Sequence, residues 1–438
     1  MPSVLNQTGD GPVSPSFHVA IIGAGITGIN LALGLQVRGV KFTLYERAAG
    51  FREIGAGIGF SPNAERAMEI LDPAVRAAFK RVANPNGEDY FQWVDGYKTD
   101  ELLYKLHVGK DGFQGGLRSE ILEEWAKMIR NPEEAVRFGK QLDTITENDK
   151  EGLLIRFTDG TTATADVVIG CDGIRSRVRQ LLLGEANPAS HPHYTAKYCF
   201  RALIPMEKAV AAVGEYKSHT RFMYNGRGAH LLTYPVGGNS VLNVLAVLSD
   251  SKPWPDAARH MAVGSKQEVL DAFADWHSTV RNIVALMPEK MDKWAVFDME
   301  EFPAPTYFKG RVALAGDAAH ATGPHLGAGG GLGIEDALVL SSLLEAVAQR
   351  VDSSGDRKAL VEAALDAYNQ VRYERTQAVV RATRRACLLF HWQVPDVGGD
   401  GEKFGQAITP LFHKVWNFDA ESMVWDAAQK LKGKLEAQ

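Results

Sequence analysis

The sequence predicts an α/β fold: a parallel sheet interrupted by an inserted antiparallel-sheet domain and followed by a helical C-terminus. Three observations carry this. Short, nearly continuous apolar runs at residues 17–22, 165–170 and 310–315 lead into glycines or a Gly/Asp corner, as strands covered on both faces do. Residues 194–250 instead alternate apolar and polar positions, the pattern of half-covered antiparallel strands. Residues 335–391 are rich in Ala, Leu, Glu and Arg and read as helix. The chain has 438 residues, which at roughly 100–200 residues per domain gives two or three packed units.

In chain order, residues 1–16 lack both a basic start and an apolar core, so they read as a flexible tail and not as a signal peptide. FHVAIIGAG is the first strand, GITGINLALGLQVRGV a helix and KFTLYER a second strand, together a βαβ unit with a right-handed connection. ADVVIGCDG and GRVALAGDAAH add strands to the same sheet, whose ligand belongs at the carboxyl ends. KYCFRALIP, SHTRFMYN, GAHLLTYPV and SVLNVLAVL build the inserted sheet, and DYFQWVDGY joins it. The expected division is a nucleotide-binding domain at 17–75, 114–190 and 290–350, a substrate-binding sheet domain at 76–113 and 191–289, and a helical region at 351–438.

Composition narrows the function. Hydrophobic residues are 45% and charged residues 23%, as in an ordinary globular protein. Lys plus Arg is 48 and Asp plus Glu 53, a net charge of −5. That balance disfavours non-specific binding to nucleic acid or to an anionic membrane. No apolar run reaches the ~18 residues of a membrane-spanning helix, so a cytoplasmic protein is expected. Three scattered cysteines form no CxxC pair, which supports free thiols and no metal centre. No feature sets an oligomeric state beyond a monomer or homodimer. Gly is 43 of 438, about a tenth against a typical 7%, which points to ligand sites lined by backbone.

Those glycines cluster. Gly23-Ala24-Gly25-Ile26-Thr27-Gly28 fits GxGxxG between a strand and a helix, and Glu46 ends the next strand. Gly23 permits the tight turn, Gly25 lets a pyrophosphate approach the backbone, and Gly28 lets helix and strand pack closely. The helix N-terminus then faces the anion, while Glu46 accepts from ribose hydroxyls and disfavours a 2′-phosphate. Residues 52–59 form a second dense cluster that includes Gly57, the mark either of backbone pressed against a flat ligand or of a mobile loop. Asp172-Gly173 closes a third strand and Gly316-Asp317 a fourth. The latter precedes Gly327-Ala328-Gly329-Gly330 at the start of another helix. An Asp at a strand end suits a polyol chain, and a glycine-rich helix N-terminus stabilises negative charge. A reduced flavin carries such charge along one edge. Neither an NAD site nor an ATP site needs that second element.

Together these motifs, from about 17 to 385, resemble the single-component flavoprotein aromatic hydroxylases, the group of p-hydroxybenzoate and salicylate hydroxylases. The resemblance implies a Rossmann-like FAD-binding domain of the p-hydroxybenzoate hydroxylase type. NAD(P)H, with NADPH favoured, is then a visiting co-substrate without its own Rossmann domain, and O2 is the oxidant. It also implies that Glu46 holds the ribose of FAD, Asp317 the ribityl chain, and Arg118 another part of the cofactor, with Arg47 and Gly57 in the same set. Asp172-Gly173 is then linked to both FAD and the nicotinamide donor. The glycine loop departs from the form with Gln and Asn, having Ala328 and Gly331 there, and looks more like the salicylate-hydroxylase branch. REIGAGI, HPHY, FRALI and HLLTYPV are similar to fungal polyketide hydroxylases that oxidatively dearomatise resorcinol-type aldehydes and ketones.

The substrate expected is therefore a small phenol. A phenolate pushes electron density onto its ortho and para carbons, so a site for it needs a cation or strong donors. Alternation puts Arg201 on one face with Cys199 and Leu203, and Tyr234 on one face with His230 and Leu232. In the dearomatising subgroup an arginine and a tyrosine at the matching positions hold the phenolate. Here Arg201 would supply the charge and Tyr234 the hydrogen bond; a structural salt bridge and a core tyrosine are the alternatives. His230, Phe222 and His325 are candidate pocket walls. His320 reads as structural, Trp93, Trp254, Trp276 and Trp294 as core, and Arg372, Arg375, Arg384 and Arg385 as a solvated helix face or interdomain ion pairs. Rival readings are a simple aromatic hydroxylase giving a catechol, a flavin-dependent halogenase, a membrane-bound epoxidase, and a non-catalytic flavoprotein scaffold or sensor. The halogenase segment WxWxIP and an anchoring helix are both missing from the sequence.

Overall fold

The computed structural model describes residues 13, 14, 16–51, 57–110, 112–148, 152–256, 259–354 and 356–436. Most of the expected tail, and residues 52–56 of the second glycine cluster, lie outside the described residues.

The apolar runs form one sheet of six strands. Its order is Phe308–Lys309, Val312–Leu314, Val167–Gly170, His18–Ile22, Lys41–Tyr45 and Val136–Arg137. All neighbours are parallel except the two-residue edge strand Phe308–Lys309, which runs antiparallel. Helix Ile26–Val37 leaves the first strand and packs against helix Gly329–Ala348, and strand centres such as Val19, Ile21, Val168 and Ile169 are fully buried. A separate antiparallel trio, Leu142–Asn148, Gly152–Phe157 and Thr162–Ala165, stands beside this sheet.

The alternating segments form an eight-stranded sheet in the order 261–265, 290–298, 193–205, 241–249, 229–236, 222–226, 90–95 and 102–107. Strand Tyr90–Asp95 does join it, but parallel to Phe222–Gly226, so the sheet is mixed. The sequence reading returned the chain to the nucleotide-binding domain near 290. Strand Lys290–Asp298 instead pairs antiparallel with both His193–Pro205 and Met261–Ser265. Its last four residues are all buried, and such a run mimics a strand covered on both faces.

Register gives the large sheet two distinct faces. Tyr198, Phe200, Ala202, Val244, Ala246, Leu231 and Tyr224 point into a core with Trp276, Phe273 and Val280. The other face carries Cys199, Arg201, Val247, Leu245, Asn243, His230, Leu232 and Tyr234. Phe222 pairs with Thr233 and packs in the first of these cores, so it is no pocket wall. The strand begins one residue after Arg221, and that parity turns Phe222 away from Tyr234.

The long helix Arg357–Phe390 clamps both sheets. Arg384 bonds Asp298 of the large sheet through Nε at 2.7 Å and Nη2 at 2.6 Å, an interdomain ion pair. Arg372 is no part of a solvated face. It is fully buried, with Nη1 2.6 Å from Glu335 and Nε 2.7 Å from Asp336, and Arg375 reaches Glu335 at 3.1 Å. Asp336 also accepts from Gly316 N at 2.8 Å and from His320 Nε2 at 2.6 Å, which fixes the Gly316-Asp317 corner to the glycine-rich helix. Burial opposes ionisation of Asp336 and Glu335, yet the cations around them hold both carboxyls below the usual range.

The stability these two carboxylates contribute is therefore present above about pH 4, where the unfolded groups ionise, and is lost as pH falls through their lower folded values. Arg372→Met should cost about 3–5 kcal/mol, because it leaves buried charge uncompensated. Urea denaturation at pH 7 checks the magnitude, and a smaller cost at pH 3 checks the sign. Among the described residues no helix is long and apolar enough to cross a membrane.

Candidate active site

The fingerprint turn has the backbone its chemistry requires. Gly23 has φ +103°, and a Cβ there would lie 2.5 Å from the Cys171 carbonyl oxygen. A Cβ on Gly28 would overlap the Gly23 carbonyl oxygen. Gly25 differs: a Cβ there would meet only Arg118 Nη2, at 3.9 Å. The open position faces an arginine, as an anion site should. Arg118 begins helix Arg118–Ala126 directly after strand Gln114–Leu117. Glu46 accepts from Ala24 N and Ala48 N, both at 2.8 Å, which holds its carboxylate against the turn. Arg47 lies exposed beside it.

The distant motifs close on this turn. Thr27 touches the backbone at both Gly316 and Gly333, where any Cβ would overlap its Oγ1. Nothing in the sequence singles out Thr27, because its contacts come from almost 300 residues away. Asp317 faces open space yet is surrounded by enough protein that burial raises its carboxyl, with His320 and Arg118 opposing. A Cβ on Gly329 would stand 3.8 Å from Asp317 Oδ1. Ala328 is the N-cap of the glycine-rich helix, and Gly329 and Gly330 open its first turn. Gly327 has φ +60° and lies against Phe113. The four corners therefore line one cradle. Small residues, a helix N-terminus, a carboxylate and an arginine suit a long ligand with a central anion, and FAD fits that description.

Asp172 is placed otherwise. Its Oδ1 accepts from Ser176 Oγ at 2.5 Å, and its Oδ2 from Arg177 N at 2.7 Å and Val178 N at 3.1 Å. Burial raises this carboxyl, and those hydrogen bonds oppose the rise. Its visible work is to cap helix Arg177–Leu183.

The second face of the large sheet adjoins this cradle. A Cβ on Gly57 would lie 2.8 Å from the Tyr234 hydroxyl and 2.7 Å from Asn243 Oδ1, and Gly115 backs onto the Tyr234 ring. Arg201 and Tyr234 come together as expected. Arg201 is exposed within hydrogen-bonding reach of Cys199, and its charge, after that of Arg221, pulls down a Tyr234 phenol that burial raises. No described carboxylate forms an ion pair with Arg201. Between Arg201 and His230 lies an apolar bed of Cys199, Leu245 and Val247, with Leu232 and Trp294 half-buried at its border. Trp294 thus belongs to this bed, while Trp93, Trp254 and Trp276 are core.

The sequence reading missed two features here. Arg221 is 2% exposed, and its guanidinium lies 3.8 Å from the Phe113 ring, 5.0 Å from Tyr234 and 5.3 Å from Phe91. Burial pushes it down to about 10. It replaces an anionic partner with aromatic faces. The second is a histidine cluster. His230 Nδ1 lies 2.8 Å from His391 Nε2, and the His325 ring is 5.5 Å from that of His230. Possible ligand atoms of His230, His325 and Cys387 all lie within 4.8 Å of one another, a grouping that sequence spacing does not reveal.

The comparisons agree with this geometry. The family described as FAD binding domain matches residues 16–383. The Monascus ruber protein named FAD-dependent monooxygenase pigN is 49% identical over 444 residues, covering 100% of both chains. The Aspergillus niger protein named FAD-dependent monooxygenase orf3 is 48% identical over 435 residues, covering 96% of this chain and 98% of its own. Among solved structures, a salicylate hydroxylase substrate complex has TM-score 0.82 at 30% identity, covering 94% of this chain and 98% of that one.

Proposed function

We propose, from the premise that this chain belongs to the FAD-binding-domain family and is an FAD-dependent monooxygenase, that it hydroxylates a phenol of the resorcinol aldehyde or ketone class. The observation that carries the substrate class is the apolar bed rimmed by Arg201, Tyr234 and His230, beside the strand Gly57–Phe60. The glycine turn at 23–28, Glu46, Arg118, Asp317 and the helix start at 328–330 would hold FAD. Bound and reduced by NAD(P)H, FAD supplies an electrophilic oxygen from O2.

The chain's own residues do the remaining work. Arg201 stabilises the phenolate by charge, since no described carboxylate claims it. Tyr234 donates a hydrogen bond to the same oxygen, because burial keeps its phenol protonated. The bed of Cys199, Leu245 and Val247 excludes water and presents the ring flat. If the attacked carbon bears an alkyl group, no proton can leave to restore aromaticity, and the product is a hydroxylated cyclohexadienone. The salicylate hydroxylase likeness favours a second reading, in which that carbon bears hydrogen or a carboxyl group and the product is a catechol.

The test is NAD(P)H oxidation and O2 uptake by the holoenzyme across a panel of alkylated resorcinol aldehydes and salicylates. Stimulation by the former with a product one oxygen heavier is the expected result. Stimulation by salicylates alone would move the function to the second reading. Stimulation by neither would leave a flavoprotein scaffold.

A further inference from the structure

We propose that His230, His391 and Ser249 form a proton relay from the phenol pocket to the surface; this rests on the phenol reading above. Phenolate formation beside Arg201 leaves a proton to dispose of, and the bed around it is apolar. Arg201 marks the exposed end of the site, and at the buried end a proton needs hydrogen-bonded groups to leave. Among the described residues the structure holds such a line. His230 stands on the pocket face, 1% exposed, with Nδ1 2.8 Å from His391 Nε2. His391 is also 1% exposed, and its Nδ1 lies 3.0 Å from Ser249 Oγ. Ser249 is half-buried, and its Oγ accepts from the exposed Gln393 Nε2 at 3.2 Å. Two hydrogen bonds thus join a buried imidazole to the protein's edge.

The fold holds the line in place. His391 follows the long helix, donates from N to Cys387 O at 3.0 Å, and accepts from Gly228 N at 2.9 Å at the 226–229 turn. Ser249 ends strand Val241–Ser249 and bonds through N to Gly228 O at 2.8 Å. The surrounding groups favour passage over storage. Burial, then His391, His325 and Lys197, keep His230 well below the ordinary imidazole value, and burial and Lys197 do the same for His391. The Cys387 thiol, 3.8 Å from His391 Nε2, is pushed by burial up to about 12 and stays uncharged. His325, also held neutral by burial, lies on the cluster's other side from His391's exit and has a buried Nδ1 without a partner among the described residues.

In the relay the bound hydroxyl lies over the bed between Arg201 and His230; its O–H bond breaks and its proton goes to His230 Nε2. The Nδ1 proton of His230 moves to His391 Nε2, and the Nδ1 proton of His391 moves to Ser249 Oγ. The hydroxyl proton then passes to water. The phenolate charge remains beside Arg201, and nothing is oxidised or reduced. An imidazole that accepts at one nitrogen and releases at the other suits each step.

The experiment mixes oxidised holoenzyme with 2,4-dihydroxybenzaldehyde in a weakly buffered pH indicator, following phenolate absorbance and proton release together. The wild-type protein should show both at one rate. His391→Gln keeps bulk and hydrogen bonding but cannot pass a proton between two nitrogens. It should slow both signals by about tenfold or more, with FAD content and the dissociation constant unchanged and a larger solvent isotope effect. Ser249→Ala, which leaves the backbone bonds intact, should slow them too and carries the test if His391→Gln fails to fold. Wild-type rates in a folded variant at either position would overturn the relay while leaving the phenol reading standing. A wild-type holoenzyme that forms no phenolate would overturn both.

Discussion

Gly25→Val should give a folded, colourless protein. The backbone at Gly25 has φ −78° and ψ −170°, an extended conformation open to any residue. A Cβ there would meet only Arg118 Nη2, at 3.9 Å, so the protein itself has room for the first carbon of a side chain. That space is where a pyrophosphate must approach the start of helix Ile26–Val37. FAD affinity should fall about a hundredfold or more, roughly 3 kcal/mol, with little change in the far-ultraviolet spectrum or in urea stability of the apoprotein. Gly28→Ala is the control of opposite kind. Its methyl group would overlap the Gly23 carbonyl, so it should lower apoprotein stability by about 1–3 kcal/mol through overpacking. Absorbance near the flavin maximum after reconstitution, read beside apoprotein melting, separates the two effects. A Gly25→Val protein that retains one FAD per chain would remove the turn from the cofactor site.

That contrast also shows what the sequence could disclose. The corners proposed to hold FAD are backbone devices: Gly23 needs a positive φ, Gly28 a close approach, and Gly316 room for Thr27. Only glycine meets such demands, so they leave a mark in the sequence wherever they occur. The pairing of Arg201 with Tyr234 was legible because strand alternation is local. What stayed hidden depended on where strands begin and on which distant element covers them. Phe222 was placed on the wrong face because a single position of parity decides it. The sequence leaves Arg372 between a solvated face and ion pairs because helix Arg357–Phe390 has no strongly one-sided apolar pattern, and its partners Glu335 and Asp336 belong to another helix. His391 joined no motif because it meets His230 across 161 positions. The boundary near 290 falls too early because the pairing of Lys290–Asp298 with His193–Pro205 and Met261–Ser265 spans distant segments.

Arg201→Ala should keep FAD and lose oxygenation. The side chain is exposed and carries no described ion pair, and strand His193–Pro205 is held by Phe200, Ala202 and Ile204 packed on its opposite face. Stability should therefore change by no more than about 0.5 kcal/mol. The chemistry has no such reserve. Removing one fixed donor at developing or resident anionic charge costs about 10²–10³ in kcat, and in the proposed reaction the donor is also the cation that keeps the phenol ionised. Arg221 does not substitute for it, being packed among Phe91, Phe113 and Tyr234. Tyr234→Phe loses a single hydrogen bond while Arg201 remains, so a smaller fall of about tenfold is expected. Arg201→Lys restores charge without the planar fork and should recover binding more than rate. The measurement is product formed per NAD(P)H consumed: in Arg201→Ala the ratio should collapse while the flavin spectrum and melting temperature stay near wild type. If Arg201→Ala hydroxylates a phenol with wild-type coupling, the anion is held elsewhere, and Lys197, whose charge reaches His230, becomes the residue to replace next.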